Sequence, residues 1–146
     1  MKLIKVECVA PAMRKVPHKY DWEYSEPWEC VLHTDEGVIT LKVDSGYRTD
    51  LASVPQALKG LMDNGSADYG VMIACQTHDV CYSTQYLSKE LSDKMFYLIL
   101  RYYGVSWLKA QLYYNAVRLF GDDAYYLGND EIEHDRILCR LFWGSK

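Results

Sequence analysis

The chain has 146 residues, 49% of them apolar or aromatic and 25% charged, a balance that fits one hydrophobic core and excludes a disordered polymer. Its net charge of −4 excludes the broad basic face of a nucleic-acid binder, so no nucleic-acid partner is expected. No window approaches the roughly 18–20 apolar residues of a membrane span, and Lys5 and Glu7 interrupt the first apolar positions, so neither a transmembrane segment nor a signal peptide is expected.

In chain order, Leu3–Val9 is rich in β-formers. Trp28–His33 and Val38–Val43 flank Thr34-Asp35-Glu36-Gly37, whose Asp and Gly favour a turn, so the two segments read as a hairpin. A loop follows over residues 44–50. Pro55, preceded by Ser53 and Val54, predicts entry to a short helix that ends near Gly60–Met62. Asp63-Asn64-Gly65-Ser66 is a break.

The apolar spacing of Val71, Ile73, Ala74, Cys75, Val80, Cys81 and Tyr82 predicts a buried helix from Tyr69 to about Gln85. Ser88 caps a second helix that Gly104 stops, and Ser106 opens a third that Gly121 ends. A fourth is predicted from Asn129 or Asp130 towards Phe142. The expected fold is therefore a single α+β domain over residues 1–146. Residues 1–50 form a small antiparallel sheet of about three strands, and residues 51–146 form a helical part with an antiparallel helix hairpin.

Five cysteines at irregular spacing, with no CxxC pair, make a poor disulfide or zinc framework, so reduced thiols are expected. His18, His33 and His134 lack metal-ligand spacing and read as surface residues. The tyrosines and Trp107 between Tyr97 and Tyr114 read as core and interface, and the apolar positions from Ile137 to Trp143 as packing within the chain or against another subunit.

His78 and Asp79 stand apart, because titratable groups in the most apolar helix need a partner. The hairpin turn centres near Tyr86, with His78 eight residues before it and Asp93 seven after. At about 1.5 Å of rise per residue both lie about 10–12 Å from the turn, level across the hairpin. A carboxylate there would fix one imidazole tautomer and leave the other ring nitrogen as a base. Asp79 lies about 100° further round and faces another side. Tyr82, one turn on, is placed to hydrogen-bond near the site. The competing reading of this trio is a buried polar network that fixes helix register.

The segment Ala74-Cys75-Gln76-Thr77-His78-Asp79-Val80-Cys81-Tyr82 resembles the active-site helix of secreted phospholipase A2 enzymes, with Ala74 in place of their first cysteine. The resemblance implies that His78 activates a water, Asp93 orients it and Asp79 binds calcium. Where those enzymes have a glycine-rich calcium loop this chain has Ser45–Asp50 with one glycine, and Asp50 is the further candidate ligand. The cofactor is thus calcium, another divalent metal or none.

A second resemblance spans roughly residues 25–121. It is carried by Gly46-Tyr47-Arg48-Thr49-Asp50-Leu51-Ala52-Ser53-Val54-Pro55, His78-Asp79 with Tyr82, Asp93 with Phe96, Gly104 and Tyr114–Arg118. These are similar to an uncharacterised phage and prophage protein family, domain of unknown function 1353. That implies a phage or prophage origin and a place in the bacterial host cytoplasm or the virion.

The expected function is a small hydrolase of ester, sharpest for phospholipid. His78, Asp93 and Tyr82 are its catalytic residues, Asp79 and Asp50 its metal ligands, and Arg48 its contact to an anionic substrate. The rival from another class is a non-enzymatic virion, tail or host-interaction protein, oligomeric or assembled in a particle. A metal phosphohydrolase or peptidoglycan hydrolase ranks below both, because no second histidine is in place for it.

Overall fold

The computed structural model describes residues 1–17, 22–49, 67–126 and 132–145. Strands β1 (Leu3–Cys8), β4 (Trp28–Thr34), β5 (Gly37–Val43) and β7 (Cys139–Gly144) form an antiparallel sheet in the order β1-β4-β5-β7. A smaller sheet joins β2 (Met13–Lys15), β3 (Trp22–Tyr24) and β6 (Arg48–Thr49). The helices are α1 (Ala67–Thr84), α2 (Lys89–Tyr102), α3 (Trp107–Phe120), α4 (Asp122–Tyr126) and α5 (Ile132–Leu138).

The β4–β5 hairpin forms where its alternation predicts. Trp28, Cys30, Leu32 and Thr34 point inward from β4, and Ile39, Leu41 and Val43 from β5. Gly37 at φ +142 makes the turn, and a side chain there would collide with the Gly144 carbonyl at 2.4 Å. Its neighbour Thr34 donates its hydroxyl to the Gly37 carbonyl, closing a local alternative to the ladder. The inward faces of the larger sheet meet α1 and α2 in one apolar cluster that includes Ile73, Val80, Phe96 and Ile99.

The helical hairpin also follows its local signals. Gln85 turns at φ 54, and the Ser88 hydroxyl accepts from Leu91 N–H to start α2. Gly104, at φ +89, follows its end, and Ser106 caps α3 on Lys109 N–H. The antiparallel α1–α2 hairpin is therefore set by the left-handed turn at Gln85 and the Ser88 cap.

One expectation needs correction. The last helix does not run to Phe142: it stops at Leu138, and Cys139–Gly144 becomes β7. The exposed ladder edge of β5 takes up that segment, with Val43 opposite Cys139 and Ile39 opposite Trp143. Pairing along a whole strand outweighed the helical spacing of a segment rich in β-formers. The α+β class holds, its strand part built as two antiparallel sheets with seven strands among the described residues. The strands not foreseen, β2, β3 and β6, have only two or three residues each, too few for alternation to register. The short helix expected after Pro55, and the start of the last helix at Asn129 or Asp130, lie outside the described residues.

Candidate functional site

His78 belongs to α1 and Asp93 to α2, and the hairpin brings them together as the spacing predicts. The His78 Nε2 lies 2.7 Å from Asp93 Oδ1, with both side chains at or below 1% exposure. Tyr82, one turn beyond His78, donates its hydroxyl to the same oxygen at 2.5 Å. Its ring stacks obliquely on the imidazole at 4.0 Å, and Phe96 packs nearby at 5.1 Å. The imidazole is thereby held in position and orientation. Its Nδ1 is buried and has no hydrogen-bond partner among the described residues.

The other oxygen of Asp93 belongs to a residue that the sequence reading missed. Lys89 Nζ donates to Asp93 Oδ2 at 2.8 Å and to the carbonyls of Val117 and Arg118 at 3.1 Å each. Its ammonium also lies 3.5 Å from Asp122. Lys89 thus joins the buried carboxylate to the carbonyl end of α3, where a cation is favoured. A signal existed: a lysine opening a helix opposes that helix's own dipole, and Asp93 sits four residues on.

The electrostatics follow from these contacts. Burial alone would raise the Asp93 carboxyl, but hydrogen bonds from His78, Lys89 and Tyr82 reverse that and hold it below its usual range. Burial, and then the bond to Asp93, push the Tyr82 hydroxyl well up, so it remains a donor. Gly121 is part of the arrangement: a Cβ there would lie 2.4 Å from the Val117 carbonyl and 2.7 Å from the Tyr82 hydroxyl.

Asp79 faces away from this trio, as its position on the helix requires. Its Oδ2 accepts from the Thr49 hydroxyl of β6 at 2.6 Å, within the protein. Arg48, next to Thr49, pairs with Glu23 at 3.0 Å, and Glu23 also receives Arg14 at 2.7 Å. Arg48 is thus a neighbour of Asp79 through the chain and is already paired with a carboxylate. Asp50 and His18 lie outside the described residues. His33 pairs with Glu7 at 3.0 Å, and His134 is exposed.

A calcium ion takes about 6–8 oxygens at about 2.3–2.6 Å. Among the described residues no three His, Cys, Asp or Glu side chains gather to hold a metal, and the Asp79 carboxylate accepts from the Thr49 hydroxyl. The described residues do not by themselves form a cation cradle. Separately, a pocket of about 460 Å³ opens between α2, α3 and α4, lined by Lys89, Asp93, Tyr114, Arg118 and Asp122 among others. It reaches the carboxylate from the Lys89 side, and His78 is not in its wall.

Among the described residues no helix is long and apolar enough to cross a membrane. In comparison with known proteins, the family model described as "Protein of unknown function (DUF1353)" matches residues 22–117. That span contains His78, Tyr82, Lys89 and Asp93 and stops short of Arg118, Gly121 and Asp122. No curated protein and no solved structure matches the chain.

Proposed function

We propose, from the premise that this chain belongs to the DUF1353 family, that it is a small phage-encoded hydrolase with His78 as its general base. The observation that carries this reading is a buried imidazole held by Asp93 through Nε2, while Nδ1 has no partner among the described residues. With the Nε2 proton directed at Asp93, Nδ1 is an acceptor that can take a proton from water as it attacks a carbonyl. Asp93, kept anionic, stabilises the imidazolium that results. Tyr82 and Lys89 hold Asp93 in place.

The resemblance of residues 74–82 to the phospholipase A2 helix makes a phospholipid ester the leading substrate class. The test is hydrolysis of phospholipid vesicles and of short-chain esters, with and without calcium, zinc or manganese, beside His78→Ala and Asp79→Asn. Ester cleavage lost in His78→Ala, with the fold retained, is the expected result. Silence of the wild-type protein on every ester and with every metal would overturn it.

One observation favours the non-enzymatic alternative, a virion or host-interaction protein. Leu108, Leu112 and Leu119 point outward from α3 at 75%, 48% and 71% exposure, with Phe120 beside them at 72%. Such a face is suited to a protein contact. Loss of host or particle association in Leu112→Lys/Leu119→Lys, with no esterase activity in the parent, would favour this alternative.

A further inference from the structure

Outside the histidine site, two thiols meet across the larger sheet. Cys8 in β1 and Cys30 in β4 are directly opposed partners in the antiparallel ladder, one step from the Val6–Leu32 pair that faces the core. Opposed residues share a face of the sheet, with Cα atoms about 4.5 or 5.5 Å apart depending on the pair type. A disulfide spans Cα separations of about 4.4–6.8 Å, so either type can close without moving a strand. Both residues carry free thiols, Cys30 buried and Cys8 half-buried.

We propose that Cys8 and Cys30 are a redox-active dithiol that closes to a cross-strand disulfide on exchange with a low-molecular-weight disulfide such as oxidised glutathione. The Cys8 thiolate attacks one sulfur of that disulfide, whose S–S bond breaks and releases one glutathione thiolate. The Cys30 thiolate then attacks the Cys8 sulfur of the mixed disulfide and expels the second. The protein loses two electrons and two protons, and the two glutathiones gain them. The neighbouring Cys30 and burial hold the Cys8 thiol well above its ordinary range, so closure is slow near neutrality and accelerates as pH rises.

The pair is placed to be felt at the helix that carries His78. Cys30 Sγ lies 3.9 Å from the Thr77 hydroxyl, in the residue before His78. The Cys8 carbonyl accepts from the Tyr69 hydroxyl at 3.1 Å, near the start of the same helix. Closing the disulfide removes the Cys30 S–H from the Thr77 contact and ties β1 to β4 behind α1. The other three cysteines offer no rival geometry of this kind: Cys75 and Cys81 share one helix, and Cys139 opposes Val43.

The test uses the native full chain in glutathione buffers of graded oxidised-to-reduced ratio at mildly alkaline pH, followed by alkylation and peptide mass mapping. The expected result is that alkylatable cysteines fall from the five of the sequence to three, with one linked pair of peptides carrying Cys8 and Cys30. Cys30→Ser should instead stop at a stable glutathione adduct on Cys8. Five alkylated thiols at the most oxidising ratio would overturn the proposal. So would a lasting adduct on wild-type Cys8 beside a free Cys30, or a link between any other two cysteines. The wild-type mapping decides the matter even where the serine variant does not fold.

Discussion

Replacing Lys89 by Met isolates what the buried ion pair contributes. Methionine keeps the length and apolar stem of the side chain but removes the ammonium that serves Asp93 Oδ2 and the Val117 and Arg118 carbonyls. Breaking a buried pair by removing one member costs about 3–5 kcal/mol, because the other charge is left uncompensated. Asp93 keeps two donors, His78 and Tyr82, so the low end applies. The 3.5 Å contact to Asp122, itself 68% exposed on its side chain, adds under about 1 kcal/mol. A loss of about 3 kcal/mol is therefore expected, or roughly 10 °C in Tm for a chain of this size. Urea unfolding followed by circular dichroism measures it, with an unchanged dependence on denaturant showing that the transition is the same one. Asp93→Asn and the double variant complete a cycle whose coupling should be about 2 kcal/mol. A single-variant loss below about 1 kcal/mol, or zero coupling, would refute the reasoning.

Acid titration gives a second check. Asp93 is held below the ordinary 3.8 of an aspartate, so its stabilisation is complete above that value and is lost as pH falls through the lower folded value. In Asp93→Asn that acid-dependent component should vanish from a plot of stability against pH. Tyr82→Phe removes one donor from Asp93 while keeping the ring, and should cost about 1–3 kcal/mol in denaturant unfolding. In ultraviolet titration of the wild-type protein, Tyr82 should stay un-ionised until the protein unfolds in alkali. Gly121→Ala should lower Tm by several degrees, since its Cβ meets a carbonyl at 2.4 Å; an unchanged Tm would show that the end of α3 yields freely.

The parts of the molecule legible from sequence are those whose signals are local. The serines that cap α2 and α3, Gly104 and the hairpin turn at Gly37 act within a few residues. The pairing of His78 with Asp93 was legible for the same reason: a short turn between two helices makes distance along the chain equal to height across the hairpin. Lys89 carried a local signal through Asp93 four residues on, but its partners on α3 were not legible, because they are reached only after Gly104 has turned the chain back. β7 was not either, since helical and extended spacing are hard to tell apart in a six-residue apolar run, and the open edge that decides between them is made by residues in β5. Asp79 was placed on the correct side of its helix, but its contact on that side, Thr49, lies on a strand too short to be seen in the sequence.

The position of β7 also bears on how the fold is reached in time. β4 and β5 can zip as soon as both exist, but the far edge of β5 is filled by the last element in chain order. While the intervening helices are being made, that edge presents unpaired N–H and C=O groups to any extended segment nearby. Long loop closure slows the final pairing, so folding of this chain should end with a docking step at β7. Nascent or truncated chains should be the aggregation-prone species. A peptide copying Cys139–Gly144 should compete for the same edge during refolding and leave the finished protein untouched.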